Sequence, residues 1–220
     1  MHRLAAVPGG SNSSEGPLFI EQPAAAAVVL SSADTDLAAM AALLKANPDR
    51  LGAGVELRGL NLALIQHPAV LDHYIRTSLQ HTRLVLVRLL GGRGHWSYGL
   101  EQLRWWAESA PQRLLLVAAG TADEELALAE LGNGDAAQAV AIGRCLREGG
   151  DANLGQVLDT MAALLRGDTP ALAEVSPLAD PAPHDWRKEP GARVGVILYR
   201  AQLQAGDLQL AQALLQALRQ

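Results

Sequence analysis

Leu84-Val85-Leu86-Val87-Arg88-Leu89-Leu90-Gly91-Gly92-Arg93-Gly94-His95-Trp96-Ser97-Tyr98-Gly99-Leu100-Glu101-Gln102-Leu103 holds an aliphatic run, a glycine-rich break and the opening of a helical period in one continuous stretch. Leu84 to Leu89 is too short for a helix and too uniformly apolar for a half-exposed strand, so it reads as a strand buried on both faces. From about Tyr98 the apolar residues Leu100, Leu103 and Trp106 predict a helix that breaks at Pro111. Strand, loop and helix in that order make the repeating unit of an α/β protein with a parallel sheet.

Outward from this unit the alternation continues in both directions. Further strands are expected at Leu4 to Val7, Ala25 to Leu30, Val55 to Leu60 and Leu114 to Ala118. Leu37, Met40 and Leu44 predict a helix after the second of these, with Ser32 or Asp34 as its cap and Pro48 and the Gly52 to Gly54 turn as its stop. Pro68 opens another through Val70, Leu71, Tyr74, Ile75 and Leu79. Past Leu114 the alternation gives way to helical segments at Asp123 to Leu131, Asp135 to Glu148 and Asn153 to Arg166. In the last, Leu154, Val157, Leu158, Met161, Leu164 and Leu165 form one apolar stripe, and Gly149-Gly150 breaks the chain before it.

Prolines at 170, 177, 181, 183 and 190 mark Gly167 to Gly191 as a linker or a surface-draped connection. A strand over Arg193 to Tyr199 and an amphipathic helix through Leu208, Leu210, Ala211, Leu214, Leu215 and Leu218 follow. The fold class expected is therefore α/β, an open and largely parallel sheet with flanking helices over residues 1–166. A linker over 167–191 then leads to the start of a second α/β domain over 192–220. One strand and one helix cannot bury both strand faces, so the second domain reads as truncated, unless these residues join the first sheet.

Composition narrows the function classes. Hydrophobic residues make up 49%, charged residues 19% and aromatics 4%, a folded chain with a mainly aliphatic core. The net charge of -5 and the absence of a Lys/Arg run argue against a nucleic acid partner. Cys145 is alone, so neither an internal disulfide nor a cysteine metal site can form, which suits a reducing cytoplasm. Met1 to Gly10 lacks the pattern of an export signal, and no apolar run of about 18 residues marks a membrane span.

Nucleotide motifs fail on detail. Gly92-x-Gly94 would need a third glycine where Ser97 stands, no G-x-x-x-x-G-K-[ST] occurs, and Val7-Pro8-Gly9-Gly10 lacks the lysine and a following helix. The loop after Leu90 is nevertheless rich in chemistry, with Arg88, Arg93, His95, Trp96 and Tyr98 close together. Ligands of open α/β sheets sit in the crevice beyond the carboxyl ends of the strands. A flat macrocycle bearing carboxylates would be met there by aromatic faces and guanidinium forks. The competing reading is structural: Trp96 covers the sheet end, Tyr98 packs at the helix start, and a neighbouring carboxylate neutralises Arg88, as burial of a charge requires. His67, His73 and His81 stand six and eight residues apart, which does not suit two ligands on one helix face, so they read as exposed. Of Trp105 and Trp106, adjacent on a helix, one is expected in the core and the other at a rim. No nucleophile-base or paired-carboxylate pattern has a local signature here.

The Arg-Leu-Leu-Gly-Gly-Arg-x-x-Trp-x-Tyr-Gly-x-Glu-Gln-Leu string of Val87 to Leu103 resembles a block near the start of the large subunit of ATP-dependent cobaltochelatase. Glu148-Gly149-Gly150-x-x-Asn153 is similar to a second segment of that family. Val194-Gly195-Val196-Ile197-Leu198-Tyr199-Arg200 with Ala205-Gly206-Asp207 is similar to a third. The magnesium chelatase large subunit is a more distant relative. The resemblance implies an amino-terminal fragment of a cytoplasmic subunit that binds hydrogenobyrinic acid a,c-diamide and Co²⁺ in aerobic cobalamin biosynthesis. ATP and Mg²⁺ would be used by an AAA+ ATPase subunit and its adaptor, not by this chain. It offers Arg88, Arg93, Trp96, Tyr98 and Arg200 as candidates for substrate contact, and no catalytic or metal residue; His95 departs from the pattern. Metal-handling residues are expected in the remainder of a much longer polypeptide, and the fragment alone is expected to be inactive. Two alternatives stay open beside it, a non-catalytic α/β module that binds a protein through the Trp-bearing loop and the large subunit of a magnesium chelatase.

Overall fold

The aliphatic runs become strands because each finds a neighbour and two covering layers. The computed structural model describes residues 16–179 and 194–218, and in it β1 (Ala27–Ser31), β2 (Leu57–Asn61), β3 (Leu84–Leu89) and β4 (Leu114–Ala119) form one parallel sheet in the order β2-β1-β3-β4. Ala27 pairs with Leu57 on one side and Leu84 on the other, and Leu84 pairs in turn with Leu114. The strand expected at Leu4 to Val7 and the glycine-rich turn after it lie outside the described residues.

Helices cover both faces, which explains why β3 is buried at all six positions. On one face Val85, Val87 and Leu89 pack with α2 (Pro68–Thr77) and α3 (Ser97–Glu108) through Leu71, Tyr74, Leu103 and Trp106. On the other, Leu84 and Leu86 pack with α1 (Asp34–Ala46), α5 (Ala136–Glu148) and α6 (Gly150–Arg166) through Met40, Ile142, Cys145, Leu158 and Met161. The short α4 (Glu125–Ala129) follows β4. Trp106 is core and Trp105 is exposed, as adjacent helix positions require.

The chain leaves β1 toward β2 and then returns to place β3 on the opposite side of β1. The order therefore reverses between β1 and β3, which makes the carboxyl ends of these two strands the switch point of the sheet.

Three local expectations need correction. Neither Ser32 nor Asp34 caps α1: the cap residue is Ala33, with no side-chain bond. Asp34 instead accepts from Asn61 Nδ2 at 2.7 Å, and the Ser32 hydroxyl donates to the Arg88 carbonyl at 3.4 Å. The last long helix begins at Gly150 rather than Asn153, because Gly149, at φ 69° and ψ -167°, takes a backbone conformation open essentially to glycine alone and so turns the chain within one residue. Finally, residues 194–199 form no strand. Strand geometry is held by a ladder to a neighbour, and among the described residues no strand lies beside this segment. Ile197 is left 97% exposed and Val194 65%.

Gly167 ends α6 in the left-handed conformation, φ 84°. Beyond it the chain drapes over α5 and α6, tied by side-chain amides. Gln138 Nε2 donates to the Pro170 carbonyl at 2.6 Å. Gln156 and Asn153 each pair with both the backbone N–H and C=O of one residue, Glu174 and Ser176. After residue 199 come α7 (Arg200–Gln204) and the amphipathic α8 (Gln209–Ala217). Among the described residues no helix is long and apolar enough to cross a membrane.

Candidate functional site

At the switch point lies a crevice of about 200 Å³. Its walls include Asp36 of α1, Arg88 of β3, Leu90 just beyond β3, and Arg147 with Gly149 where α5 hands over to α6. Ala201, Gln204 and Ala205 close one side. A larger groove of about 490 Å³ runs between α5 and the draped segment at Leu172 to Val175. Its one cationic side chain, Arg144, is already committed to Glu125 at 2.9 Å.

Side chains alternate along a strand, so Arg88 points with Leu86 toward α1 while Val87 and Leu89 point the other way. Arg88 Nη1 forms an ion pair with Asp36 Oδ1, and Asp36 Oδ2 accepts from the Ser31 hydroxyl at 2.8 Å. The two charged side chains are 9% and 10% exposed. The carboxylate that a buried Arg88 demands is therefore Asp36. Arg88 Nε is buried without a hydrogen-bond partner among the described residues.

The remaining candidates fall elsewhere. Trp96 is 7% exposed and belongs to the core layer of α2 and α3. Its ring lies so close over Gly99 that a Cβ there would come within 2.1 Å of it, which accounts for the glycine after Tyr98. The Tyr98 hydroxyl donates to Asp72 Oδ1 at 2.8 Å, and this bond is the main reason its proton is held above the ordinary tyrosine range. Arg93 stands exposed in a short 3₁₀ turn over Arg93–His95. Arg200 opens α7, with Nη2 donating to Glu148 Oε1 at 2.6 Å and Nη1 to the Leu178 carbonyl at 3.1 Å. Four of the five residues thus form two groups, while Arg93 stands apart in its exposed turn. Arg88 and Arg200 lie on the α1, α5 and α6 side, whereas Trp96 and Tyr98 lie on the α2 and α3 side.

Sequence reasoning passed over Asp36, Arg147 and Gln204. A buried arginine at a strand end implies a neighbouring carboxylate, but that it is Asp36 of α1, the helix after the adjacent strand β1, follows only from the sheet order. Arg147 reaches the Thr121 carbonyl at 3.5 Å and ion-pairs with Glu125, a contact across loops that no local spacing reports. Glu125 is held below the usual carboxylate range, first by its hydrogen bond from Arg144 and then by Arg147, against the opposing effect of burial.

Among the described residues no group of three or more His, Cys, Asp or Glu could hold a metal ion. His67 accepts from the Ala69 amide at 3.2 Å and so caps α2, while His73 Nε2 pairs with Glu21 at 2.7 Å. Burial pushes the Cys145 thiol up, away from the thiolate form. Ser31 touches a carboxylate but is fully buried. The arrangement is suited to binding, with cationic side chains in a crevice, and not to nucleophilic attack.

No family model matches the chain. Over 94% of its length it is 34% identical to the aerobic cobaltochelatase subunit CobN of Pseudomonas aeruginosa, of which the match covers 17%. Over 99% of its length it is 29% identical to the subunit of the same name from a Sinorhizobium species, covering 18% of it. Among solved structures, the catalytic subunit of cobaltochelatase from Mycobacterium tuberculosis shares the fold, with a TM-score of 0.56 and 22% identity over 90% of this chain and 15% of that one. The chain spans about a sixth of the length of the relatives it matches. The resemblance seen in Val87 to Leu103 therefore extends over nearly the whole chain: it is similar to a segment of the cobaltochelatase subunit CobN.

Proposed function

We propose that this segment serves the large subunit of an aerobic, ATP-dependent cobaltochelatase, which holds hydrogenobyrinic acid a,c-diamide while Co²⁺ is inserted during cobalamin biosynthesis in the cytoplasm. The observation that carries this reading is sequence similarity spread across the chain rather than confined to one motif. The absence of a nucleotide fingerprint in the sequence fits a division of labour in which an AAA+ ATPase subunit and its adaptor bind ATP and Mg²⁺. Cobalt is then a substrate, handled by parts of the subunit beyond this segment, and the segment alone is inactive.

In this reading Arg88, Arg93 and Tyr98 face the edge of the macrocycle, Trp96 supports the loop that carries Arg93, and Arg200 fixes the helix that closes the switch-point crevice. Residues 1–166 belong to the first domain and 192–220 to the beginning of a second, whose exposed apolar residues Val194, Ile197 and Leu210 are to be covered by the rest of the polypeptide. The test is a titration of the full-length subunit with the corrin precursor. Arg93→Ala removes an exposed fork without touching the core and is expected to weaken binding by about 1–3 kcal/mol. Unchanged affinity together with lost assembly on the ATPase subunits would instead make the Arg93 loop a protein-docking element.

A further inference from the structure

Arg88 is only half used. Its Nη1 meets Asp36, but among the described residues no hydrogen bond engages Nε or Nη2, and Nε is buried. Nε and Nη2 together form the edge of a guanidinium that grips a carboxylate in bidentate fashion. The same chain shows this edge in use: Arg50 Nε and Nη2 hold the two oxygens of Asp159 at 2.8 Å each, and Arg144 holds Glu125 through the same pair of atoms. A fork left idle in a side chain that is only 9% exposed is costly, since a buried donor without a partner gives up its hydration for nothing.

From this geometry we infer that the switch-point crevice is a carboxylate site, with the guanidinium of Arg88, reached from its Nη2 side, as its binding group. The crevice has the right size, because about 200 Å³ corresponds to roughly six water molecules. That is room for a carboxylate on a short carbon arm and not for a whole macrocycle. It also has the right charge. Asp36, the carboxylate in its wall, is occupied by Arg88 and Ser31, and Arg147, which also lines it, is paired with Glu125, so the unengaged donors are those of Arg88. Ala201 and Ala205 face the space as small residues, and Gln204 anchors their helix by donating to the carbonyls of Arg147 at 3.2 Å and Glu148 at 2.8 Å. The inference stands on the crevice alone for the carboxylate, and rests on the proposed function only for its source, a side arm of the macrocycle as against a free small acid.

Nuclear magnetic resonance of the arginine Nε–H groups tests it, with propionate as the probe. The Arg88 signal is expected to shift saturably. Arg88→Lys, which keeps the pairing with Asp36 but loses the fork, is expected to weaken the response at least tenfold, read from the protein's backbone signals around the crevice. Ala205→Leu fills the space without touching any charge and is expected to do the same, so the test survives if the lysine variant fails to fold. Displacement of propionate by hydrogenobyrinic acid a,c-diamide identifies the ring as the source. Saturable propionate binding that the ring compound does not displace supports the carboxylate site with a free acid as occupant, and counts against the ring. An Arg88 signal indifferent to propionate, or a response of the same size in Ala205→Leu, overturns the site, whatever the subunit's affinity for the corrin precursor.

Discussion

The sheet body over residues 27–166 and the tail over 194–218 carry equally apolar stretches, yet they treat them in opposite ways. In β3, Leu84, Leu86 and Val87 are all 1% exposed or less, because β1 and β4 complete the ladder and helices cover both faces. In the tail, Ile197 and Leu210 stand in solvent and the segment before α7 forms no strand. A Val/Leu-rich run becomes a strand only where partners accept its backbone groups and its side chains. The tail is held to the body through polar contacts, Arg200 on Glu148 and Gln204 on backbone carbonyls, together with the close fit over Gly149.

The contrast can be broken or sharpened by substitution. Asp36→Ala strands the Arg88 charge inside the body and is expected to cost about 3–5 kcal/mol, seen as a lower urea midpoint, with part of it recovered when Arg88→Met is added. If the single change left the midpoint in place, the body would not depend on that ion pair. Leu86→Ala should cost about 2–5 kcal/mol by the same measurement, since it empties a site that is wholly enclosed. Gly149→Ala forces an alanine into a glycine-only conformation and sets its Cβ 2.8 Å from that of Gln204. A loss of about 1–3 kcal/mol is expected, with faster proteolysis around residue 200 as the tail lifts. Ile197→Ser, at the other extreme, should move stability by less than about 0.5 kcal/mol. A large loss there would mean that the tail buries Ile197 in solution and that the contrast is false.

Much of the body was legible. Leu84 to Leu89 and Leu114 to Ala118 read as strands because a buried parallel strand needs continuous aliphatic residues, and the stripe from Leu154 to Leu165 read as a helix for the complementary reason. The tail misled because Val194 to Tyr199 has the composition of a strand while no strand lies beside it among the described residues. The site was legible in part. Arg88 drew notice as a charge inside an apolar run, but its use depends on Asp36 and Gln204, residues brought to it by the fold from elsewhere in the chain. Trp96 and Tyr98 drew notice because rings are scarce here; Trp96 lies in the core, and the Tyr98 hydroxyl is tied to Asp72. Aromatic residues serve packing and recognition with the same chemistry, and sequence alone does not separate the two.

Cys145, set in the layer between α5 and the sheet with no exposed surface, gives the molecule a built-in reporter of its own breathing. A thiol reagent can reach that sulfur only while α5 is lifted from β4, so the speed of labelling in the absence of denaturant counts how often this layer comes apart. With no second thiol in the sequence, every modified molecule records that one event.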